Sequence, residues 1–197
     1  MAEDEQVRAG LRIGEILEEK DAFRVIIRGQ AAIEDVLDEA IDAAFTGGTP
    51  GELKRLRLPS RLALAAALEL LTTEVAAAIA LLAKIRHQFA HGAADELTDD
   101  HVKLLRDFTA GFYPPEEVNA DDFSPDDLLR IVVGTVWHLT QDTVKDALDK
   151  RATAEAVLAE AALAESRRRR ALSASKIAEL LASAEGEDDS HPVAAES

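Results

Sequence analysis

The sequence predicts an all-α fold: a bundle of five or six helices with a long C-terminal helix and an acidic disordered tail. Three observations carry this. Apolar residues make up 47% of the chain but aromatics only 4%, and the apolar set is mostly Ala and Leu rather than β-branched runs. Such a composition favours helices over sheets. Apolar positions also recur at three- and four-residue spacing, as one face of a helix requires. Finally, Ser, Thr and Asp caps and Gly or Pro stops divide the chain at helix-like intervals.

The elements follow in order. A first helix is expected from about Gln6 to Lys20, with Val7, Leu11, Ile13, Ile16 and Leu17 as its apolar positions. A second begins near Asp21 and carries Ile26, Ile33, Val36, Leu37, Ala40, Ile41 and Ala44; Thr46-Gly47-Gly48-Thr49-Pro50-Gly51 stops it. After the basic connector Lys54–Pro59, Ser60 is the expected cap of a third helix running to about Leu71. Thr72 or Thr73 restarts the chain as a fourth helix to His91, where Gly92 suits a left-handed C-terminal cap. Thr98, Asp99 and Asp100 supply an N-cap and acidic first turn for a fifth helix with Val102, Leu104, Leu105 and Phe108, closed by Pro114-Pro115. Ser124-Pro125-Asp126-Asp127 opens the last helix, whose buried stripe is Leu129, Val132, Val133, Val136 and Trp137.

Periodicity weakens from about Ala152. The expected organisation is a helical domain over 1–150, an Ala/Arg-rich helical extension over 151–182 and an acidic disordered tail over 183–197. No internal repeat is evident.

The formal charge of −16 argues against general affinity for nucleic acid or anionic membranes. Much of the excess acid lies at the two ends, so a local basic site remains possible. The absence of cysteine excludes disulfide scaffolds, Cys–zinc sites and thiol nucleophiles. No signal sequence or bilayer-spanning stretch is visible, and a cytoplasmic location is expected. Nor is there a Gly-rich phosphate loop or a Gly-x-Ser-x-Gly elbow, and no cofactor or metal is expected.

The chemistry concentrates in Arg86-His87-Gln88-Phe89-Ala90-His91. On an ideal helix of about 100° per residue, Arg86 falls inside the apolar arc of Val75, Ile79, Leu82, Ile85 and Phe89. A guanidinium there needs a carboxylate, carbonyl oxygens or a phosphate, because an unpaired buried charge costs at least several kcal/mol. Glu34, Asp38 and Glu39 of the second helix are the candidate carboxylates. His87 and His91 lie at i and i+4, and a histidine at a helix C-terminus is favoured as imidazolium. His91 therefore suits either general acid–base work near neutral pH or simple capping of its own helix. Metal binding by His87 and His91 is a third reading, without an HExxH pattern or a recognisable third ligand. Lys84, Arg55, Arg57 and Arg61 form the accompanying basic surface.

Elsewhere, Trp137 reads as core and His138 as a surface or satisfied core residue. His101, near a helix N-terminus, is expected to be solvated. Arg167–Arg170 reads first as a solvated face, with contact to RNA or DNA, or to the acidic tail in cis, as the other uses.

The motif has company. Arg86-x4-His91 with a polar residue after the arginine is similar to the R-x4–6-H signature of HEPN-superfamily proteins. Ile33-Glu34-Asp35-Val36-Leu37-Asp38-Glu39-Ala40, then Leu58–Leu64, the motif itself, and Leu97-Thr98-Asp99-Asp100 follow in an order that resembles the mannitol operon repressor (MltR-like) branch. The resemblance spans about Phe23 to Phe108. It implies a small helical domain that dimerises, two motifs sharing one cleft. In the metal-independent endoribonucleases of the superfamily, Arg86 would hold the scissile phosphate. His91 would move a proton as the 2′-OH attacks, leaving a cyclic phosphate, and His87 would orient the site. Such an enzyme would suit a toxin or defence system. The alternative implied by the repressor-like branch is a non-catalytic regulator acting through a partner protein or antitoxin. No helix-turn-helix is recognisable.

Overall fold

The computed structural model describes residues 2–45, 48–90, 96–114 and 116–185. Among them the chain is all-helical: α1 (Ala2–Leu17), α2 (Ala22–Ala44), α3 (Leu58–Ala67), α4 (Thr73–Ala90), α5 (Asp99–Phe112) and α6 (Pro125–Glu185), with short 3₁₀ turns at Leu53–Arg55 and Ala120–Asp122. Two compact units are distinguished, residues 1–149 and 150–197. No helix among the described residues is long and apolar enough to cross a membrane.

Caps set the helix starts where short polar side chains reach back to free amides. Asp21 Oδ1 accepts from Phe23 N at 2.9 Å to open α2. Ser124 Oγ accepts from Asp127 N at 3.2 Å in the first turn of α6. Thr98 opens α5 through a capping box, in which Thr98 Oγ1 accepts from His101 N and His101 Nδ1 accepts from Thr98 N.

α3 differs from expectation at both ends. It starts at Leu58, two residues before Ser60, because Pro59 is pre-set for a first helical turn and needs no amide partner. It stops at Ala67 rather than Leu71. Leu70 N donates to Ala65 O at 2.9 Å and Glu69 N to Ala66 O at 3.0 Å, with Glu69 at φ 58°. That is a Schellman closure with a glutamate in the left-handed position. It turns Leu70 and Leu71 into the core instead of along a helix face.

In the first unit α2 is the central helix, packing against α1, α3 and α4, while α4 also meets α5. The core is built from Ile26, Ile33, Leu37 and Ile41 of α2, Ile79, Leu82 and Ile85 of α4, and Leu105 of α5. The α6 stripe Leu129, Val132, Val133, Val136 and Trp137 is buried as the periodicity predicts. α2 and α6 approach closely at Gly29, where an added Cβ would overlap Cγ1 of Val133. On α1, Ile13 and Ile16 are buried but Leu11 is exposed.

Candidate functional site

Five side chains on three helices form a chain of contacts beside the last turns of α4. Glu34 of α2 is the hub. Its Oε1 lies 3.4 Å from Arg86 Nη1 of α4 and accepts from Gln30 Nε2 at 2.9 Å. Its Oε2 accepts from Arg61 Nη2 of α3. Arg61 Nη1 in turn reaches both Asp38 oxygens, at 2.6 and 2.7 Å. Burial of Arg61 disfavours its charge, but the hydrogen bonds it donates to Asp38 and Glu34, and the attraction of their negative charges, outweigh that and raise its pKa.

The two arginines are held differently. Arg61 is only 15% exposed and makes contacts with two carboxylates, whereas Arg86 is 44% exposed and has one longer ion pair. Helical projection places Arg86 inside the apolar arc; the structure puts its side chain at the rim. Val75, Ile79, Leu82, Ile85 and Phe89 are all buried as expected. The long arginine stem carries the charged head past this apolar surface towards water.

Gln30 was not visible as part of the site from motif reasoning. It is 1% exposed, and its Oε1 has no hydrogen-bond partner among the described residues while its amide nitrogen holds Glu34. A sequence signal existed: a glutamine interrupts the apolar series Ile26, Ile33, Leu37 four residues before Glu34. A buried amide in such a stripe is there to satisfy something.

The remaining basic residues divide. Lys84, Arg86 and His87 are all exposed near the C-terminal end of α4. Arg55 and Arg57 are exposed on the connector, whereas Lys54 pairs with Asp42 at 3.7 Å. Of the connector-side arginines, Arg61 alone is shown sharing a carboxylate with Arg86. Its charge is already engaged, so it is a poor candidate for binding phosphate. His91, the proposed proton-transfer residue, and Gly92, the expected cap, lie outside the described residues, as does most of the 183–197 tail.

A cavity of about 550 Å³ opens beside Arg61, between the end of α2 and the Leu53–Arg55 turn, lined by Asp38, Glu39, Ile41, Asp42, Lys54 and Arg61 among others. Its charges are mixed and largely paired with one another. Glu39, an expected partner of Arg86, lies on this wall. Among the described residues no group of three potential metal ligands exists.

His101 corrects a further expectation. Rather than solvated it is 2% exposed. Nε2 contacts Gln88 Oε1, and the ring stacks on Phe89 with centroids 5.7 Å apart. The usual capping box has Glu or Gln at this position, so a histidine there carries no such signal in the sequence. His138 is exposed and sits edge-on to the buried Trp137 at 4.9 Å.

No protein-family model, curated protein or solved structure matches this chain.

Proposed function

We propose that the chain is a non-catalytic, MltR-like regulatory module of the cytoplasm, a homodimer that acts by binding a partner protein. The observation that carries this reading is the commitment of Arg86 to Glu34, a carboxylate that Arg61 and Gln30 also hold. The arginine of the motif thereby links α4 to α2 and has an anionic partner without any RNA. The pronounced negative charge of the chain agrees with a protein partner better than with a polyanion.

A second reading is favoured by one specific observation. Arg86 remains 44% exposed on a single 3.4 Å contact, with Lys84 and His87 exposed on the same end of α4. A phosphate could displace so long an ion pair, and two such ends in a dimer would make a composite, metal-independent ribonuclease site with His91 as proton-transfer group.

Incubation of the purified protein with mixed-sequence RNA in excess EDTA separates the two. The regulatory reading expects intact RNA, and a deletion strain whose transcript changes are restored equally by the wild type and His91→Ala. Cleavage to cyclic-phosphate ends that is lost in His91→Ala would replace it with the enzymatic reading.

A further inference from the structure

The histidine of the α5 capping box has a fixed protonation pattern. Its Nδ1 accepts the Thr98 amide hydrogen at 3.2 Å and therefore carries no proton. The proton of the neutral ring sits on Nε2, which donates to Gln88 Oε1. The ring is 2% exposed and lies flat on Phe89, which also packs against the ring of Phe23 at 6.2 Å. Gln88 and Phe89 belong to the Arg86–His91 motif. One imidazole thus ties the first turn of α5 to the last turns of α4.

We propose that this contact is a protonation-sensitive clamp: a proton taken up at Nδ1 opens the α5 capping box and releases the motif-bearing end of α4. With a hydrogen on Nδ1, two donors face each other where one bond stood. The Thr98 amide is left without its acceptor, and a cation is left in a site that offers it a stacked ring and one amide oxygen. Among the described residues two charged groups act on the imidazole. Asp100, on α5 itself, favours the proton, and Lys84, across on α4, opposes it; from α2 the uncharged ring of Phe23 packs on Phe89. Burial is the largest influence and keeps the ring neutral below its ordinary value of 6.5. The clamp is therefore closed at neutral pH and opens on acidification. It is independent of whether the motif meets a protein or an RNA.

The test is nitrogen-15 NMR of the His101 ring together with amide hydrogen exchange on the whole protein through a pH titration. At neutral pH Nδ1 should report as unprotonated and Nε2 as protonated. Below pH 6.5 the Thr98 amide and those of Phe89 and Ala90 should lose protection in step with Nδ1 protonation, while Ile33 and Leu37 of the core keep theirs. In His101→Gln, a capping-box residue that does not titrate, Thr98 protection should stay flat with pH. An Nδ1–H tautomer at neutral pH, or wild-type protection that survives protonation, overturns the proposal. So does loss of core and Thr98 protection together, which would be global unfolding. Should His101→Gln not fold, the wild-type titration decides the matter unaided.

Discussion

Glu34 and Arg86 stand 3.4 Å apart across the α2–α4 interface, 52 residues apart in the chain, and the carboxylate faces more than one donor. Gln30 approaches the same oxygen from within the helix, and Arg61 takes the other oxygen from α3. Glu34 is thus the member whose loss strands the most partners, while Arg86 is a peripheral arm. The consequence for function is direct. An arginine held by one long, half-exposed contact adds little stability; what it adds is a link between the end of α4 and α2.

Arg86→Ala should lower unfolding free energy by under about 1 kcal/mol, the ordinary worth of an exposed ion pair. Glu34→Ala should cost about 1–3 kcal/mol, because the buried Gln30 amide then lacks its acceptor. Urea denaturation of both variants checks the order. A larger loss in Arg86→Ala than in Glu34→Ala would mean that the hub has been assigned to the wrong residue.

Much of this arrangement was legible in the residues themselves. The three-to-four spacing of Ile33, Leu37 and Ile41, and of Leu129, Val132 and Val136, placed the buried faces of α2 and α6 correctly. Asp21, Thr98 and Ser124 marked helix starts because a capping oxygen acts locally. Glu34 was one of three candidate carboxylates for Arg86, and periodicity could not choose among them since that choice depends on interhelical rotation. The end of α3 is not legible in this way, because a glutamate there takes a backbone conformation usually reserved for glycine. Nor is the burial of His101, which depends on the neighbouring α4 and not on local sequence.

Glu69 holds φ 58° at the end of α3. A side chain in the left-handed region costs about 1–2 kcal/mol, and glycine avoids that strain at some entropic cost in the unfolded chain. Glu69→Gly should therefore raise stability by about 1 kcal/mol, seen as a higher urea midpoint at unchanged m-value. A lower midpoint would show that the glutamate side chain makes a compensating contact.

Asp42 ties down the chain after α2, its Oδ1 accepting from Thr49 N at 2.7 Å. That backbone hydrogen bond, then the Thr49 side chain and Lys54, hold its pKa below the usual 3.8 against a smaller opposing effect of burial. The folded form therefore keeps the carboxylate ionised where the unfolded chain protonates it. The contribution is fully present above about pH 3.8 and is lost as the pH falls through the lower folded value. Acid titration of Asp42→Asn should show a shallower decline in stability over that window than the wild type; equal slopes would remove Asp42 from the acid response.

Gly29 faces Val133 at a close approach of α2 and α6. By helix propensity alone, Gly29→Ala should stabilise α2 by about 1 kcal/mol. The added Cβ, however, would overlap Cγ1 of a fully buried, β-branched valine whose side chain has little rotameric freedom. Overpacking of this kind costs about 1–3 kcal/mol, so the net effect should be a loss of stability. The decisive measurement is the double-mutant cycle with Val133→Ala. Removing the two methyl groups opens a cavity and is destabilising in itself. Alanine at both positions should nevertheless be more stable than the sum of the two single losses, because the new methyl enters the space just vacated. Additive losses would place the cost of Gly29→Ala elsewhere than at the α2–α6 contact.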